Sequence, residues 1–233
     1  MDDLRRQRAA TVAVWRADVA TRPGGDWAQL GDLAVHTTGI PVRHWNGAFV
    51  TGPDTPWHAA ARWFADREMP WGVLVPDELD VTPPAEPITV QPVMLRGLAG
   101  LRELPDLELR WDAADDAALV QAEAFDEPLA GTFVAPKLVN PACAVVVAYE
   151  DGQPVSTATL VTVQGVAAVY GVATRAAYRR RGHGRAVTLA VLHEGRRRGC
   201  DLSFLNPSEL GYGCYAALGF RDAPGIRVFQ PIL

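Results

Sequence analysis

The stretch from Val169 to Cys200, VYGVATRAAYRRRGHGRAVTLAVLHEGRRRGC, limits what this chain can fold into more than any other. Val169 to Ala173 reads as a strand, Arg179-Arg180-Arg181-Gly182-His183-Gly184 as a basic glycine loop, and a helix is expected to open near Gly184. Glycines at 182 and 184 let the backbone curl so that successive amides point the same way, and a helix start adds its own unpaired amides and the positive end of its dipole. Such a loop is an anion seat. Residues 175–198 hold eight arginines and one acid, Glu194, whereas residues 101–174 hold three bases against eleven acids. The basic tract is local and the net charge of the 233-residue chain is -5, so the expected ligand is a small phosphate-bearing molecule, not nucleic acid or an anionic membrane.

The rest of the chain reads as alternating helices and strands. A helix is expected over residues 2–20, ended by Pro23-Gly24-Gly25. Trp27 to His36 and Asn46 to Val50 read as strands separated by a Thr38-Gly39-Ile40-Pro41 turn. Asp54-Thr55-Pro56 starts a helix with Asp54 as its cap, and Gly72 to Val75 is a buried strand. Four prolines between 81 and 92 mark a loop leading into a strand that ends near Leu95, and a boundary is expected at about residue 100. This gives an N-terminal α/β half, 1–100, and a second domain, 101–233. The first half has no glycine-rich anion loop and reads as a scaffolding or substrate-side unit, with Trp27, Trp45, Trp57, Trp63 and Trp71 as core.

Beyond residue 100 the pattern sharpens. Leu107, Leu109 and Trp111 alternate as a strand, and Asp112 to Phe125 forms a helix with Ala114, Ala118, Ala122 and Phe125 on one side. Ala142 to Tyr149 and Val155 to Val163 flank a D-G turn and form a hairpin, followed by a strand over Val166 to Ala173. The loop's helix ends at Arg196 to Arg198 with Gly199 as its cap. Leu202 to Leu205 is a strand, Asn206 to Leu218 a turn and helix carrying Tyr215, and Phe220 with Ile226 to Phe229 closes the sheet. Cys143, Cys200 and Cys214 stand 57 and 14 positions apart, with no C-x-x-C pair, so neither a disulfide framework nor a zinc knuckle is expected. No apolar run approaches a membrane span, the N-terminus does not read as a secretory signal, and a cytoplasmic setting is the simplest expectation.

Three features stand in fixed order: Arg179-x-x-Gly182-x-Gly184 after a strand, Asn206 after the next strand, and Tyr215-x-x-Leu218-Gly219-Phe220 beyond it. Together they resemble the GNAT superfamily of acyl-CoA-dependent N-acyltransferases, over residues 107–233. The resemblance implies a mixed, mostly antiparallel central sheet flanked by helices, whose strands around Tyr170 and Phe204 splay apart at the acyl-CoA site. It implies acetyl-CoA as co-substrate, with no metal, and a direct attack by a primary amine of a small molecule or a protein. Pyrophosphate would lie on the amides of Arg181, Gly182, His183, Gly184 and Arg185, beside Arg179. Main chain of Gly171 and Val172 would pair with the pantetheine arm, one of their N–H groups polarising the thioester carbonyl, and Asn206 would bond the pantetheine amide. Tyr215 would protonate the leaving thiolate. By the same resemblance the N-terminal half is a degenerate GNAT-like companion, and the protein a monomer or homodimer.

Where such proteins often carry a glutamate before the loop, Tyr170, Gly171, Val172 and Ala173 offer no carboxylate. Glu123, Asp126 and Glu127 fall where the substrate-side helices are expected and are the candidate acids for a cationic amine. The missing carboxylate motivates a competing expectation, a non-catalytic acyl-CoA-binding or regulatory module.

Overall fold

A computed structural model describes residues 2–231 and divides the chain into two compact units. The first runs to Val93 and takes in the residues from Asp222 onward; the second is Met94–Arg221. The cut falls inside one long strand, and the last strand belongs almost wholly to the first unit.

In the first unit, helix α1 (Asp3–Val19) precedes strands β1 (Asp26–Leu30), β2 (Leu33–Thr37) and β3 (Gly47–Val50). Helix α2 (Trp57–Ala65), strand β4 (Gly72–Pro76) and most of β5 (Ala85–Gly97) follow, and the last strand returns here. The span Trp27 to His36, expected as one strand, is an antiparallel hairpin, because Gly31 turns the chain at φ 52°. Strand β3 pairs in parallel with β4, so α2 is a crossover between them. Asp54 does not cap α2: the cap position is Pro56, which offers no side-chain bond, and the Asp54 amide donates instead to the Asp32 carboxylate at 2.9 Å. The core of this unit gathers Leu33, Val35, Phe64, Trp71 and Phe229, with Phe64 and Trp71 stacked at 4.6 Å.

The second unit is built on strands β6 (Glu108–Trp111), β7 (Cys143–Glu150), β8 (Gln153–Val163), β9 (Val166–Thr174) and β10 (Leu202–Leu205), in the order β5-β10-β9-β8-β7-β6. Every pairing is antiparallel except β9 with β10. The two tight hairpins follow from Asp151-Gly152 and Gln164-Gly165, all four at positive φ, the twist-matched geometry for a two-residue turn. Helix α5 (His183–Arg197) covers one face, burying Ala186, Val187, Leu189 to Leu192 and Gly195. Helix α6 (Glu209–Ala217) leads into β11 (Arg221–Pro231). The other face carries α3 (Ala114–Phe125) and the short α4 (Ala135–Leu138) over Val145, Val147 and Tyr149. The face of α3 differs from expectation: Ala117, Val120 and Gln121 are buried and Phe125 is exposed. Alternate alanines set an apolar period, but the larger Val120 and Gln121 fix which side packs. Among the described residues no helix is long and apolar enough to cross a membrane.

Candidate active site

The site is framed by a pair of strands that part. Strands β9 and β10 are matched only at Val166–Leu202, Ala167–Ser203 and Ala168–Phe204. Beyond Ala168 strand β9 runs on to Thr174 with β8 as its sole registered neighbour, while β10 ends at Leu205. The divergence is reinforced by a bulge, for Thr159 stands opposite Tyr170 and Thr157 opposite Ala173. That register leaves one extra residue in β9, within Gly171-Val172, and a bulge bends its strand and frees main-chain groups from the ladder. Gly171 takes φ 57°, and a methyl group there would meet the Gln121 amide nitrogen at 2.6 Å. The positive φ favours glycine here, and a larger residue would also have to displace the Gln121 side chain.

From β9 the chain passes a short 3-10 turn, Ala176–Tyr178, and enters the basic loop. Arg180 at φ 65° and Gly182 at φ 91° both adopt the left-handed conformation with Arg181 between them, an alternation that curls amides towards one point. Helix α5 opens at His183, and its first intrahelical bond at this end runs from the Ala186 amide to the Gly182 carbonyl. The amides of His183, Gly184 and Arg185 consequently have no acceptor in the helix. A side chain on Gly182 would meet nothing within 4 Å. Open space, unpaired amides and a helix start fit a pyrophosphate by main chain alone.

The arginine side chains divide into two groups. Arg179 donates to the carbonyls of Thr174 and Ala124, and Arg181 to the Glu150 carboxylate and the Ala177 carbonyl. Arg175 bonds Glu123 at 2.8 Å and the Pro154 carbonyl. These three brace the loop against the protein, so what Arg179 and Arg181 leave for an anion is their main chain. Arg180 and Arg185 are exposed and bond no described residue through their side chains, which leaves them as the cations available at the seat. His183, singled out in the sequence only for its amide, has a buried ring whose Nε2 lies 2.6 Å from Glu150. The partner stands 33 residues earlier, and no local signal announces it.

Tyr215 lies on α6, buried and edge-on to Phe220 at 6.1 Å. Burial first, then the neighbouring Cys214, pushes its phenol up to about 12. It is thus protonated throughout the neutral range and its hydroxyl bonds no described residue. Asn206 follows β10 directly, ahead of Pro207 and of Ser208, which caps α6 by accepting from the Gly211 amide. Two of the three candidate acids, Glu123 and Glu127, are engaged through their carboxylates. Glu123 is ion-paired to Arg175, Asp126 forms the left-handed end of α3, and the Glu127 carboxylate accepts from the Leu129 amide.

The model of the Acetyltransferase (GNAT) family matches residues 104–220. Among solved structures, a GCN5-related N-acetyltransferase from Kribbella flavida superposes with a TM-score of 0.73 at 18% identity, covering 95% of each chain. A GCN5-related N-acetyltransferase-like protein from Streptococcus suis 89/1591 gives 0.59 at 14% identity over 97% of each chain. A tandem GNAT protein from the clavulanic acid biosynthesis pathway gives 0.58 at 14% identity, over 91% of this chain and 86% of its own. At these identities the likeness is one of fold. No curated protein matches the sequence.

Proposed function

Since the chain belongs to the GNAT acetyltransferase family, we propose that its acetyl transfer runs from acetyl-CoA to a primary amine by direct attack. The observation that carries this reading is the unpaired start of α5, with Gly182 at φ 91°, following a strand that parts from its parallel neighbour. The amides of 181–185 receive the pyrophosphate, with Arg180 and Arg185 as free cations beside them. Main chain freed at the Gly171-Val172 bulge pairs with the pantetheine and directs an N–H at the thioester carbonyl, and Asn206 bonds the pantetheine amide. The amine nitrogen forms the new C–N bond as the C–S bond breaks; its surplus proton passes to solvent, and the departing sulfur is met by the Tyr215 hydroxyl. A thiol of ordinary pKa near 8.5 is the stronger acid by roughly 3.5 units, so the phenol keeps its proton and stabilises the departing thiolate as a hydrogen-bond donor, and the sulfur takes its own proton from solvent.

The engagement of the Glu123 and Glu127 carboxylates favours acceptors that arrive uncharged, such as weakly basic amines. It is also what a non-catalytic binder of acyl-CoA would show, and one experiment separates the two. The purified protein is heated with and without acetyl-CoA, then incubated with acetyl-CoA and a broad panel of amines while free thiol is followed. Stabilisation by acetyl-CoA with thiol release supports the enzyme; stabilisation with no transfer to any amine supports the binder; no stabilisation overturns both. A cytoplasmic site of action goes with this reading.

A further inference from the structure

Glu150 closes β7, one residue before the Asp151-Gly152 turn, and is paired with Gln153 in the hairpin. One carboxylate oxygen lies 2.6 Å from Arg181 Nη1 and the other 2.6 Å from His183 Nε2. The residues it grips stand on either side of Gly182, the left-handed step at which the loop becomes a helix. We propose that Glu150 is a positioning residue for the anion seat, a clamp that sets the direction of the amides around Gly182. The proposal rests on the reading of the seat as the pyrophosphate site.

Three features support it. The His183 ring is buried and its Nδ1 has no partner, so the bond to Glu150 is the one hydrogen bond that orients a ring attached to the first residue of α5, beside an edge contact with Tyr178 at 6.5 Å. With a carboxylate as acceptor, Nε2 carries the proton. The bonds from His183 first, then Arg181, hold the Glu150 carboxyl below its ordinary range, so the clamp is ionised at neutral pH. The clamp is also mounted on a tight two-residue hairpin, whose end is a fixed point. Against these stands an electrostatic cost, since a carboxylate near an anion seat repels the ligand, a repulsion its Arg181 partner offsets in part. Charge and geometry therefore predict opposite results when Glu150 is removed.

The test is calorimetric titration of the full chain and of Glu150→Ala and Glu150→Gln with CoA, ADP and acetyl-pantetheine. Glu150→Ala is expected to weaken CoA and ADP by the same factor, about tenfold, and to leave acetyl-pantetheine unchanged. Glu150→Gln, which keeps an acceptor without the charge, is expected to recover most of that loss. Unchanged or tighter CoA binding in Glu150→Ala overturns the clamp, as does an equal loss for acetyl-pantetheine, which lacks the pyrophosphate. Wild-type protein that binds neither CoA nor ADP overturns the pyrophosphate reading itself. The clamp is then judged on unliganded protein by amide order parameters at 181–183, expected near 0.85 in wild type and below about 0.6 in Glu150→Ala. Equal values in the two overturn it.

Discussion

Each unit contains one strand–helix–strand crossover closed by a parallel pair, β3–α2–β4 in the first and β9–α5–β10 in the second, and each pair is matched at three positions. The connections into the two helices have opposite chemistry. The second offers Gly182, Gly184 and amides without acceptors. The first is Thr51-Gly52-Pro53-Asp54-Thr55-Pro56, in which two prolines have no N–H to give. The Thr51 amide donates to the Asp32 carbonyl, the Asp54 amide to the Asp32 carboxylate and the Trp57 amide to the Thr55 carbonyl. A methyl group on Gly52 would meet that carboxylate at 2.5 Å. A pocket of about 710 Å³ borders the start of α2, but Pro56, Trp57, Pro83 and Pro84 line it together with His58 and Arg62, so rings take the place of amides. The strands differ too, for β3 stops one residue past its last parallel pair and β9 runs six residues further. One crossover thus presents acceptor-free amides at its helix start and the other a closed corner, according to five or six loop residues.

The comparison breaks most visibly if the second loop is given the first loop's charge. Gly184→Asp sets a carboxylate among the amides and crowds Thr174 Oγ1, 3.2 Å from the new carbon. Affinity for CoA, measured by calorimetry, is expected to fall about a thousandfold. Retained affinity would place the seat elsewhere.

The next effect belongs to the first unit, whose buried polar groups serve its own fold. Arg8 bonds Glu78 and the carbonyls of Pro224 and Gly225, and Asn46 joins Thr38, Ile40, Val42 and Pro70. His36 lies 3.9 Å from the Trp15 ring with its Nδ1 on the Gly47 carbonyl, and burial lowers its pKa from 6.5 to about 4. The unfolded chain takes up a proton near 6.5 and the folded chain refuses it until about 4, so stability from neutral His36 is complete above the higher value and lost as pH falls to the lower. The loss is expected to total about 3 kcal/mol. Denaturant unfolding from pH 7 to 4 should show a shallower slope in His36→Gln than in wild type, and equal slopes would mean that the ring is charged or exposed.

In the second unit Tyr215→Phe keeps the packing on Phe220 and removes the hydroxyl. Turnover is expected to fall about a hundredfold with CoA affinity unchanged. Because the phenol stands at about 12, the wild-type rate should show no alkaline limb from this group below pH 10. Unchanged turnover removes Tyr215 from the chemistry.

What the sequence discloses follows the range of the interactions involved. Strand, loop and α5 are legible because glycine pattern, apolar period and charge all act within one stretch, and the two-residue hairpins announce themselves at Asp151-Gly152 and after Val163. The split of Trp27–His36 into β1 and β2 escapes because Gly31 alone marks it, inside a run with strand character at both ends. The packed side of α3 escapes because a helix of small residues presents several equivalent faces until a sheet selects one. At the site, the loop's identity is local, whereas the use of its arginines is not: Arg179 reaches Ala124, and Arg181 and His183 reach Glu150. A basic run declares that cations are present, and only the fold decides which of them remain free.

The smallest effect tests the closed corner directly. Asp32→Ala removes the acceptor of the Asp54 amide, an exposed bond whose loss is expected to lower stability by at most about 1 kcal/mol. If the first crossover has no part in holding the donor, CoA affinity stays within twofold of wild type, because Pro53 and Pro56 still deny the loop its amides. A gain in affinity would mean that the Asp32 carboxylate alone closes this corner and that the first unit retains a latent seat. The pair of measurements, denaturant unfolding and calorimetry on one variant, therefore decides whether proline or charge closed the first loop. Proline predicts a change in the first measurement only.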